Sequence, residues 1–231
     1  MLNHNLLVCK IVFKKLIEKI LMKINEPVTM LTDYLITVYC LWLVFLIEIK
    51  GELNLENPMI IGSLLIGSIG ISAFFGGSAH GWKLIMNESK IKSIWILTRL
   101  GLGLCTFLFI LFALQISNVS DNLYLLILII GIIQLMVNSY IVFISDKFLF
   151  TVINYLISLS LIFVIKLVSY VYSPDIISLW LIGSIGITFI GSFVQVKGIS
   201  LNDKYFNHND LYHIIQLPAI YCIYRAVIGI I

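Results

Sequence analysis

Eight residues of this 231-residue chain have side chains that could do chemistry together: Glu26, Asp33, Ser78, His80, His208, Asn209, Asp210 and His213. Carboxylates, imidazoles and hydroxyls are the groups that bind metal ions and move protons near neutral pH. Glu26, Thr29 and Asp33 are three and then four residues apart, so one face of a helix would carry them. His213 shares a face with Asn209 and Asp210 by the same rule. His208 lies five residues before His213, about 140° away around an ideal helix. Both can point at one centre only if His208 precedes the helix proper, which an N-cap at Asn209 or Asp210 would allow. Plainer roles stay open: Glu26 before Pro27 also reads as a helix start, and His208, Asn209 and Asp210 as a solvated cap.

The elements that must position these residues are strongly apolar. Hydrophobic residues make up 60% of the chain and charged residues 12%, with a mean hydropathy of +1.05, whereas a water-soluble domain carries roughly 25% charged residues. Seven windows are long enough to cross a hydrocarbon core as helices: about 28–48, 59–82, 93–116, 122–145, 149–171, 176–197 and 209–231. They are continuously apolar rather than alternating at period two, which excludes a β-barrel. The expected fold is an all-α polytopic membrane protein with seven transmembrane helices. Its expected partners are membrane lipids and not nucleic acid. Cys9, Cys40, Cys105 and Cys222 fall in no paired spacing, so no disulfide framework is expected.

Ahead of the first span, "LLVCKIVFKKLIEKILMKI" repeats lysine at Lys10, Lys14, Lys15, Lys19 and Lys23. This interrupts any signal-peptide core and predicts a basic amphipathic helix lying on an anionic membrane face. The chain therefore divides into an N-terminal segment, 1–25, and a seven-helix transmembrane domain, 26–231. With the N-terminus inside, the inner loops and ends also carry Lys83, Lys90, Lys92, Lys147, Lys197 and Lys204. The outer side holds only Lys50, Arg225 and Lys166, the last near a helix end from which it can snorkel. In that orientation Glu26, Asp33, Ser78, His80 and the polar start of span seven all lie at one depth on the cytoplasmic side. Ionisable residues within membranes usually face the bundle interior, so this coplanar set predicts a site.

LIGSIGI occurs twice, at Leu65 to Ile71 and at Leu181 to Ile187. Span one aligns loosely with span five and span three with span seven, at offsets of about 116 to 121 residues. The pattern predicts a parallel repeat of three helices, one linking helix and three more, as in some transporters. It pairs Asp33 with Asn154, His80 with Val196 and His213 with Ile96, so each ionisable residue belongs to one copy only.

The polar positions resemble those of the CREST superfamily, seven-helix membrane hydrolases and receptors that include alkaline ceramidases and progestin and adipoQ receptors. Glu26, Thr29, Thr32 and Asp33 look like that family's span-one pattern of Glu followed by polar residues at +3, +6 and +7. His80 looks like the histidine that closes its span-two Ser-x-x-x-His, and His213 like the second histidine of its span-seven His-x-x-x-His. The resemblance implies zinc held by His80, His213 and a third ligand, either His208 or Asp210, with a water position left open. It further implies Asp210 or Asp33 as proton acceptor or orienting partner, and Ser78 as donor to an oxyanion. Three departures stand out. Gly76 occupies the place of the family's serine, Asn209 that of its first span-seven histidine, and span three, "SIWILTRLGLGL", has no acidic residue.

Two functions are therefore expected. The first is a zinc-dependent hydrolase of a lipid amide or ester near the cytoplasmic face. The second is a non-enzymatic transporter or sensor whose carboxylates and histidines bind protons or a solute. Retinal-type light sensing is disfavoured, because span seven contains no lysine for a Schiff base.

Overall fold

The computed structural model describes residues 24–50, 57–117 and 119–230. The basic segment expected at 1–25 lies outside these residues apart from its last two. Seven helices follow one another: α1 Pro27–Lys50, α2 Pro58–Trp82, α3 Glu88–Gln115, α4 Asp121–Ile144, α5 Leu149–Tyr172, α6 Ile176–Lys197 and α7 His208–Ile228. All seven are long and apolar enough to cross a membrane, the pattern of a multi-pass membrane protein. No β-strand occurs among the described residues.

The helix starts are written locally. Asn57 accepts from the Met59 backbone N–H with Pro58 at the first helical position, and Asp175 accepts from the Ser178 N–H at 2.7 Å. Asn87 accepts from the Lys90 N–H at 2.9 Å, so α3 begins ahead of the apolar window expected at 93–116. Gly198 ends α6 with φ of 65°, a left-handed turn that glycine enters without a Cβ clash.

Helices α1, α2, α3, α5, α6 and α7 close into a ring in which each packs on the next and α2 also touches α7. Helix α4 stands outside, against α3 and more lightly α5. Leu43, Leu65, Ile66, Phe112, Leu181 and Ile185 fill the interior, while large apolar side chains such as Val38, Phe45, Met136 and Phe143 stay exposed on the outside. That outer surface suits lipid, which is as apolar as the core, so close van der Waals packing must hold the helices together. The α1–α2 seam shows how. A Cβ on Gly70 would come within 2.8 Å of the Cys40 Cβ, and one on Gly77 within 2.8 Å of the Asp33 Cβ and 3.1 Å of the Met30 carbonyl. Glycines on this face let α1 press directly on α2, and the contact sets the position of Asp33.

Two buried cations satisfy carbonyls that helix ends leave free. Arg99 on α3 donates to the carbonyls of Ser145 and Val142, at 2.5 and 3.3 Å, where α4 ends. Lys166 differs from its expected snorkelling. It is fully buried and donates to the Ile116 carbonyl at 3.1 Å, capping α3 from within the bundle. The unpaired carbonyl inside the protein is a closer partner than the membrane surface.

Candidate functional site

The centre of the site is the meeting of α1 and α7. The His213 Nε2 stands 3.3 Å from Asp33 Oδ1, with both side chains almost entirely buried. The other ring nitrogen, Nδ1, lies 2.9 Å from the Thr32 hydroxyl, which itself donates to the Thr29 carbonyl at 3.0 Å. A hydroxyl has one proton, and a carbonyl can only accept. With that proton committed to Thr29, Thr32 accepts from His213 Nδ1–H, and the Nε2 lone pair is left facing the carboxylate. Two acceptors 3.3 Å apart require a shared proton or a cation between them.

A second pair stands beside the first. His80 Nδ1 lies 2.8 Å from Glu26 Oε2. This hydrogen bond, with help from the nearby Lys83 charge and against partial burial, holds the Glu26 carboxyl below its ordinary value of 4.5. Glu26 is therefore the acceptor and His80 Nδ1 the donor, which again leaves Nε2 as the free nitrogen. The Trp95 ring meets the His80 imidazole edge to face, with centroids 5.1 Å apart. The main chain reinforces the junction where the Asn25 N–H donates to the Gly81 carbonyl at 3.1 Å.

This pair has a predictable acid response. A folded-state value below 4.5 means that the contribution of Glu26 is complete above that pH and is lost as pH falls through the depressed value. The difference in melting temperature between the wild type and Glu26→Gln should therefore be present at neutral pH and close in acid. A difference unchanged across that range would contradict the pairing.

The other expected residues sort themselves by helix start. The N-cap of α7 is Asn207, earlier than the expected Asn209 or Asp210: its Oδ1 accepts from the Asn209 and Asp210 N–H groups, and Asp210 Oδ2 accepts from the Asn207 N–H at 2.8 Å. This reciprocal capping box makes His208 the first residue of the helix rather than one preceding it. Asp210 is buried in that box and also accepts from the Thr29 hydroxyl at 2.7 Å. It ties α7 to α1 and is not among the residues lining the cavity described next.

A cavity of about 340 Å³ lies inside the ring, lined by six helices but not by α4. Asp33, His80, Asn209 and His213 line it; Glu26, Ser78, His208 and Asp210 do not. Gly76 and His80, one turn apart, face the cavity, so Ser78 between them is directed elsewhere. Its hydroxyl meets Tyr34 at 3.1 Å and donates to the Phe74 carbonyl at 2.7 Å. A Cβ at Gly76 would lie 3.3 Å from Asp33 Oδ2, so the residue facing the carboxylate is this glycine. Gln195, Gln216, Tyr155 and Tyr212 also reach the wall and were missed from sequence. A signal existed for Gln216, three residues beyond His213 on the same helical face.

Among the described residues, no three His, Cys, Asp or Glu side chains are already gathered as a metal site. The donor chemistry nevertheless suits zinc. Each imidazole holds its Nδ1 against an oxygen acceptor, as metal-ligating histidines usually do. Two donors about 2.0–2.1 Å from a tetrahedral ion are themselves roughly 3.3 Å apart, the separation of His213 Nε2 and Asp33 Oδ1. His80 on the same cavity wall would be the third donor and would have to close on that pair. A family model described as a family of unknown function (DUF6962) matches residues 28–231, which takes in Asp33, His80 and His213 but not Glu26. No curated protein matches the chain.

Proposed function

The chain belongs to the DUF6962 family, and from its own residues we propose that it is a zinc-dependent membrane hydrolase acting on an amide or ester of a lipid. The observation that carries this reading is the 3.3 Å approach of His213 Nε2 to Asp33 Oδ1 at the wall of an intramembrane cavity. His213, Asp33 and His80 would hold the ion. When bound, zinc lowers the pKa of its water toward about 7 and polarises a carbonyl. Thr32 fixes the ring orientation and tautomer of His213, and Glu26 does the same for His80. As a ligand Asp33 would hold the ion beside His213, whereas Asp210 positions the start of α7. The resemblance to the CREST hydrolases supports the same reading through Glu26, His80 and His213.

The lysines at the inner helix ends support an orientation with the N-terminus and the cavity's polar wall on the cytoplasmic side. The duplication of three helices about one linking helix draws support from α4 lying outside the ring and from matching burial of the paired Leu65 and Leu181. The transporter or sensor reading has one observation in its favour: the cavity wall carries Asn209 where the CREST pattern has a histidine.

Metal analysis of the detergent-purified full chain tests the proposal. About one zinc per chain is expected, as for a mononuclear catalytic site, with loss in both His80→Ala and His213→Ala. A wild-type protein that binds no zinc on titration would sink the hydrolase reading and leave the solute-binding one.

A further inference from the structure

A second, smaller pocket of about 120 Å³ is lined by Trp95, Arg99, Asp146 and Phe148. Arg99 is buried on α3, while Asp146 and Phe148 sit in the link between α4 and α5. The two charged groups line one pocket yet form no ion pair with each other. The guanidinium donates through Nε to the Trp95 carbonyl and through its two terminal nitrogens to the carbonyls of Ser145 and Val142. Three of its five N–H groups are thus committed and two remain. The Asp146 carboxylate is paired with Lys92 through Oδ2 at 3.0 Å, an exposed contact of the kind worth little. A cation and an anion that line one space without meeting suit an occupant carrying both signs.

Place and lining narrow that occupant. The link between two membrane-spanning helices lies at the depth of lipid head groups. Aromatic rings beside a carboxylate are suited to an ammonium group, and a guanidinium to a phosphate. Trp95 and Phe148, with ring centroids 5.9 Å apart, also line the large cavity, so the two spaces share an aromatic wall. The same Trp95 ring packs on His80. A lipid with its head group at Arg99 and Asp146 would therefore have its acyl linkage beside the cavity wall that carries His80. We propose that the smaller pocket is a head-group subsite for a zwitterionic phospholipid, with the phosphate on Arg99, the ammonium among Asp146, Trp95 and Phe148, and the acyl chain in the large cavity. That this lipid is also the substrate rests on the proposed function, whereas its binding needs neither zinc nor turnover.

Equilibrium binding to the full chain, purified in an uncharged maltoside detergent, tests it. Three fluorescent 1-acylglycerol probes share one chain and carry phosphocholine, phosphoglycerol or no phosphate. The phosphocholine probe is expected to bind about fivefold more tightly than the phosphoglycerol probe, the scale of one cation–π contact. It should bind at least about tenfold more tightly than the probe without phosphate, the scale of one charged hydrogen bond. Asp146→Asn should erase the preference for phosphocholine over phosphoglycerol. Phe148→Leu should reduce it, which keeps the test decisive if either variant fails to fold. Equal affinities for any two of the wild-type pairs compared, or an unchanged preference in a folded Asp146→Asn or Phe148→Leu protein, would overturn the subsite. Glycerophosphocholine, which has the head group and no chain, should leave the probe bound at equal concentration; displacement would overturn a lipid as the occupant. Selective binding by a protein that takes up no zinc would retain the subsite and remove the hydrolase. Zinc uptake and hydrolysis with unselective binding would do the reverse.

Discussion

Replacing His213 with alanine is expected to abolish zinc binding and to lower hydrolysis of an acyl-amide reporter at least about a thousandfold, because it removes a ligand from the proposed three-donor set. Thr32→Val is the more informative change. Valine matches threonine in shape but loses the oxygen that accepts from His213 Nδ1 at 2.9 Å. The ring keeps its place and loses the bond that selects its tautomer, so Nε2 no longer presents a lone pair to Asp33 by default. Loss of such an orienting partner typically lowers metal affinity or activity about 10- to 100-fold. Zinc titration and single-substrate kinetics on both variants would read this directly. Identical zinc affinity in Thr32→Val and wild type would show that the Thr32 contact does not organise the site.

The second large effect is on packing. Gly77→Ala should destabilise the protein by about 1–3 kcal/mol, the usual range for forcing a group into a filled space. Its new Cβ would come within 2.8 Å of the Asp33 Cβ and 3.1 Å of the Met30 carbonyl and the Tyr34 ring. The carbonyl belongs to the α1 backbone and cannot rotate aside, so α1 must move as a unit. Asp33 would move with it and its contact with His213 would open. Gly67→Ala makes the same chemical change ten residues earlier in α2, where nothing lies within 4 Å of the new Cβ. It should be neutral or stabilising, since alanine is the better helix former by roughly 0.5–1 kcal/mol. Melting temperatures of both variants in one detergent check the contrast, and equal shifts would show that the α1–α2 seam is not close-packed.

How far sequence carried the site is clearest at its individual residues. His80, Asp33 and His213 were singled out by type and depth, and all three line the cavity. Ser78 and His208 were singled out by the same criteria and are not among the lining residues. The difference is rotation about a helix axis. Gly76 and His80 share one face of α2 while Ser78 falls between them, and the capping box begun by Asn207 places His208 inside the first turn of α7. Gln216, which no motif marked, also lines the cavity.

By itself the sequence determined the number of spans and their approximate ends. Lipid imposes that information, since a crossing helix needs roughly 20 apolar residues and tolerates charge mainly at its ends. Only the tertiary structure decided which face of each helix turns inward, that α4 stays outside the ring, and that Lys166 reaches inward to the end of α3. In a soluble protein the contrast between water and core would have written those faces into the hydrophobic pattern. Here lipid and core are both apolar, so the inward faces emerge only where glycines, hydroxyls and amides meet their partners across the helix seams.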